Sequence, residues 1–61
     1  MIIYKRNVTE SDLKNSDEII YYFDDYICYL ITKVDNLFVV RKNCDTVATI
    51  DMESLLRTFG F

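Results

Sequence analysis

The stretch from Tyr26 to Val34, read YICYLITKV, limits this chain more than any other feature. It has strong β propensity, and side chains alternate between the two faces of a strand. One face then carries Tyr26, Cys28, Leu30 and Val34, and the other carries Ile27, Tyr29 and Ile31. Both faces are apolar. An antiparallel sheet with one wet face alternates apolar with polar residues, so this strand asks for cover on both sides.

The chain has 61 residues to supply that cover, enough for one domain over 1–61. Domains this small reach only about 3–5 kcal/mol of net stability unless a disulfide, a metal or a partner holds them. Metal is disfavoured, because histidine is absent and two separated cysteines cannot make a four-ligand zinc site. No cofactor motif is present; one glycine cannot build a phosphate-cradling loop. A disulfide between Cys28 and Cys44 needs their strands side by side. The short apolar start, broken by Lys5 and Arg6, predicts no export, hence a reducing, cytoplasmic setting with free thiols. The longest apolar run, Tyr26 to Ile31, is too short to cross a bilayer. What remains is a partner, and with 51% hydrophobic residues some apolar surface is expected at an interface.

Breakers are scarce. Proline is absent and the only glycine is Gly60, so turns must come from Asn and Asp. Residues 1–6 read as a short strand, with Lys5 and Arg6 suited to an edge. Thr9 and Asp12 have capping-box spacing, which predicts one or two helical turns and a break near Asn15–Asp17. A single helix from Thr9 to Asp24 is the competing reading. Glu18 to Phe23 is β-forming. The strands 26–34, 37–42 and 46–50 are separated by Asp- and Asn-bearing gaps, the mark of hairpins. Asp51 caps a C-terminal helix that ends at Gly60, and Met52, Leu55, Leu56 and Phe59 form its apolar face. The expected fold is α+β: an antiparallel meander of three to four strands, the C-terminal helix on one face, and a short helix or helical turn after the first strand. The second face is left for the 9–24 segment, a second subunit or a target. A homodimer is favoured, with Ile27, Tyr29 and Ile31 at its interface.

Charge narrows the partner. Residues 10–25 hold six carboxylates against Lys14 alone, a local −5, while the remainder carries +2. Such a layout argues against direct nucleic-acid binding, which Lys5, Arg6, Arg41 and Lys42 would lead. Catalysis lacks a nucleophile–base set. Cys44 is the thiol expected in a turn, and the adjacent charge of Asp45 opposes thiolate formation. The adjacent acids Asp17–Glu18 and Asp24–Asp25 read first as turn punctuation.

Tyrosines lie among those acids, and a mixture of rings and carboxylates suits a surface that meets a basic protein. The candidate contact set is Asp17, Glu18, Tyr21, Tyr22, Asp24, Asp25 and Tyr26, with ordinary strand and core roles for the rings as the alternative. In character the chain resembles small acidic proteins of phages and mobile elements, among which inhibitors of host enzymes and defence systems are common. The expected function is a non-enzymatic inhibitor or modulator of a host macromolecule, acting in the host cytoplasm if phage-encoded. The alternative is a structural or regulatory homodimer.

Overall fold

A computed structural model describes residues 2–43 and 45–61. The expectations for Met1 and Cys44, including the Cys28–Cys44 bridge and the Cys44 thiol, lie outside these residues. Cys28 carries a free thiol. The elements run β1 (Ile2–Lys5), α1 (Glu10–Asn15), β2 (Glu18–Tyr22), β3 (Cys28–Val34), β4 (Leu37–Lys42), β5 (Asp45–Asp51) and α2 (Met52–Phe59). The strands form one sheet in chain order, β1 to β5.

The α+β class and the C-terminal helix are as expected, but the sheet has five strands and is mixed. β1 pairs parallel with β2, with Ile3 opposite Ile19. The other pairings are antiparallel. The reason is α1. A hairpin reverses the chain, whereas a helix between two strands carries the chain back so that the second strand starts beside the first. Parallel pairing leaves no tight-turn signature, so the hairpin signals reported only part of the sheet.

Local chemistry explains the element ends. Thr9 Oγ1 accepts from the Asp12 backbone N–H at 3.2 Å, and the Thr9 backbone N–H donates to Asp12 Oδ2 at 3.0 Å. This reciprocal box starts α1, and the helix stops at Asn15, so the long Thr9–Asp24 helix does not form. Asp51 Oδ1 accepts from the Ser54 backbone N–H at 2.8 Å and starts α2. Gly60, with φ 70°, ends α2 in the left-handed conformation that glycine adopts without strain. Asp35 (φ 55°) and Asn43 (φ 48°) take the same conformation in the β3–β4 and β4–β5 connections, a region Asp and Asn tolerate better than other side chains.

Both helices pack on one face of the sheet. Ile19, Ile31 and Val40 stand side by side across β2, β3 and β4. They are buried with Val8, Leu13, Phe38 and Leu55 in a single core. Leu13 comes from α1 and Leu55 from α2, and neither is accessible to solvent. Burial of each such aliphatic side chain is worth about 1.5–3 kcal/mol. The 9–24 segment therefore does not cover the second face. No helix among the described residues is long and apolar enough to cross a membrane.

Candidate protein interface

Most exposed apolar side chains lie on two surfaces, the open face of the sheet and the turn that joins β2 to β3, and Val47, at the irregularity in β5, is exposed as well. The open face follows from strand alternation. Tyr4, Ile20 and Leu30 align across β1, β2 and β3. Val34 pairs with Leu37, and Thr32 with Val39. Tyr22 lies on this side, its ring stacked on Tyr4 with centroids 6.5 Å apart. Tyr4 is 63% exposed, and Ile2, Val34 and Leu37 are also exposed.

The β2–β3 turn is held by one side chain. Asp24 Oδ1 accepts from the backbone N–H groups of Tyr26, at 2.8 Å, and Ile27, at 2.7 Å. The Ile27 carbonyl accepts from the Phe23 and Asp24 backbone N–H groups at 3.1 and 3.3 Å. Four hydrogen bonds thus close a short loop, as an Asx-type turn does. The tip presents Tyr26, 90% exposed, and at its base stands Phe23, 58% exposed, with one edge of its ring against Tyr21 and Tyr29. Asp25 lies between Phe23 and Tyr26 in sequence, and its Oδ1 is 3.4 Å from Arg6 Nη2. Both partners of that pair are largely in solvent, where an ion pair is worth about 0–1 kcal/mol.

The expected contact residues divide. Asp25, Tyr26 and Tyr22 are exposed around the turn. Asp24 is spent on holding the backbone. Tyr21 points to the helix side, where its ring meets Tyr29, Phe59 and Phe61 at centroid distances of 5.0–6.1 Å. Asp17 and Glu18 lie at the other end of β2, about 13 Å along the strand. The Asp17 carbonyl accepts from the Lys33 backbone N–H at 2.8 Å. The acids therefore do not converge into one patch.

Of the residues expected at a dimer interface, Tyr29 and Ile31 are on the helix side and Ile27 is in the turn. Ile31 is fully buried, Tyr29 packs on Phe59 at 4.9 Å, and Ile27 is half-buried in the turn. With Ile31 enclosed by its own chain, the open surface is the opposite one, bearing Leu30 and Val34. Alternation showed that β3 has two apolar faces, but it carries no sign of which one the helices choose. Phe23 and the exposed Tyr4 were missed for a related reason, since exposure of a ring depends on what folds over it.

The basic residues do not gather either. Lys5 Nζ donates to Asp12 Oδ2 at 2.9 Å, and Arg6 meets Asp25. Arg41 and Lys42 are consecutive in β4 and so face opposite ways. Two carboxylates sit below their ordinary range, and both serve the fold. Asp12 is lowered first by its hydrogen bond to Lys5 and then by the Thr9 backbone N–H. Asp51 is lowered first by the Ser54 backbone N–H. No family model, curated protein or solved structure matches this chain.

Proposed function

We propose that this chain is a small protein-binding module that inhibits or modulates its partner by occupying a surface, with no chemistry of its own, in the cytoplasm. The contact centre is the β2–β3 turn, with Tyr26 and Phe23 as apolar anchors and Asp25 beside them. The single observation behind this reading is the exposure of Tyr26, 90%, on a backbone already tied down by Asp24. Tyrosine is enriched at binding hot spots, and a loop held before binding loses little conformational entropy when it binds. The fitting partner offers an apolar cleft rimmed by Arg or Lys. The acidic contact is confined to this turn, because Asp17 and Glu18 lie at the far end of β2 and Asp24 is occupied.

The test compares proteins retained from a lysate by the immobilised chain and by its Tyr26→Ser variant. A true partner is held by the first, lost by the second, and released as salt rises. In purified form its affinity falls about 30-fold with Tyr26→Ser, the effect of losing a hot spot of about 2 kcal/mol. A partner that binds both forms equally, with the variant folded by circular dichroism, rules out the turn as the contact centre.

A further inference from the structure

We infer that the open face of the sheet pairs with the same face of a second copy of this chain, in a twofold dimer whose axis runs parallel to β3. This inference does not rest on the β2–β3 turn. It rests on how charge and bulk are distributed about the central strand.

Glu18 and Arg41 bring charge into the middle of the open face, whereas Asp51, at its β5 edge opposite Leu37, is used to cap α2. Glu18 lies opposite Thr32 on one side of β3, and Arg41 lies opposite Leu30 on the other. They are of opposite sign, and neither has a side-chain partner among the described residues. They stand one strand either side of β3 and about 7 Å apart along it. Rotation about an axis parallel to β3 lays each β2 across the partner's β4. Glu18 then lies over the partner's Val39, within reach of the partner's Arg41, and the same contact is made a second time. Isologous interfaces have this property: one complementary pair is used twice.

Bulk is distributed in the same sense. The β1–β2 half carries Tyr4, Ile20 and Tyr22, with two stacked rings standing out from the face. The β4–β5 half carries Leu37, Val39, Arg41, Thr46 and Thr49, with no aromatic ring among them. The same rotation sets the ring-bearing half of each copy against the ring-free half of the other. Sheets that pack in this way run within about 30° of each other and about 10 Å apart.

The area is sufficient. Five strands at about 4.8 Å spacing, each about six residues long, make a face of about 24 by 20 Å. Two such faces remove on the order of 1,000 Å² from water, the lower bound of a specific interface. A face this apolar is also near the limit that a monomer leaves uncovered, about 300–600 Å².

Sedimentation equilibrium of the wild type and of two charge reversals, Arg41→Glu and Glu18→Arg, tests the arrangement. The wild type is expected to be a dimer at micromolar concentration. Each reversal sets like charges together twice and weakens self-association at least about tenfold. An equimolar mixture of the two variants restores association, as a heterodimer in which both contacts are again of opposite sign. Circular dichroism checks that each variant is folded; should one not fold, Arg41→Gln and Glu18→Gln replace the reversals, and each is expected to weaken the dimer. The inference is overturned by a wild type that stays monomeric at high micromolar concentration, which would leave the face to a different protein or a lipid surface. It is equally overturned by folded variants that associate like the wild type, or by charge reversals whose mixture stays monomeric.

Discussion

The two faces of this sheet are built from nearly the same residue types and have opposite fates. Along β3, Tyr29 and Ile31 face the helices while Leu30 and its neighbour Val34 face outward. Ile31 is completely enclosed and Val34 is half in solvent. Composition does not separate the faces. What separates them is the placement of two short helices, each contributing one fully buried leucine, Leu13 and Leu55, to the same side. A side chain's hydrophobicity therefore says that it wants cover, and only the path of the rest of the chain says whether it receives it.

The sharpest test of that contrast pairs adjacent residues. Ile31→Ala opens a cavity under both helices and is expected to cost about 2–5 kcal/mol. That rivals the whole stability of a chain this size, so the variant should be largely unfolded in urea titrations. Leu30→Ala, one residue away on the open face, is expected to cost less than about 1 kcal/mol in a dilute, monomeric sample. Equal losses would mean that the open face is covered after all.

The helical layer can be weakened without touching the core. Gly60→Ala leaves ample room, since an added Cβ meets nothing within 4 Å, but it forces alanine to a φ of 70°. The expected cost is about 1 kcal/mol in thermal or urea unfolding. No change would show that the end of α2 is loose in the native state.

Acid should loosen the same layer selectively. Hydrogen bonds to Lys5 and the Thr9 backbone hold the Asp12 carboxyl, and those to the Ser54 backbone hold the Asp51 carboxyl, below the ordinary carboxylate range in the folded chain. A carboxyl lowered by folding stabilises fully above its unfolded value, and that contribution is lost as pH falls through the folded one. Stability should hold above about pH 5 and decline below about pH 4 as both helix starts lose their charge. Asp12→Asn should flatten this decline, because the asparagine cannot titrate. An unaltered acid limb would remove Asp12 from the account.

The smallest expected effect lies off both faces. Asp35→Gly relieves a left-handed backbone at φ 55° but adds freedom to the unfolded chain. The two effects oppose each other, and the net is expected to be a gain of about 0.5 kcal/mol. A loss would show that the Asp35 side chain contributes to the turn beyond its backbone shape.

Much of this architecture was legible from residue order. Thr9 and Asp12 announced α1, Asp51 and Gly60 bracketed α2, and Asp35–Asn36 marked the β3–β4 turn. The candidate surface was legible only in part. Tyr22, Asp25 and Tyr26 do reach solvent. Asp24 was indistinguishable in sequence from Asp25, yet one braces the turn and the other faces a guanidinium. Which of two neighbouring carboxylates meets a backbone N–H depends on dihedral angles that neither residue dictates alone.

Residue order by itself determined most local elements of this protein, because caps, turns and period-two alternation act over a few residues, but it left 9–24 open between one long helix and a short helix followed by a strand. It also determined that β3 would be apolar on both sides. Tertiary structure alone decided that β1 joins parallel to β2, and that both helices fall on the face of Ile31, leaving Leu30 outside. Those outcomes depend on contacts between residues distant in the chain. Two apolar faces of one strand offer similar energy for cover, so the choice between them belongs to the chain's overall path.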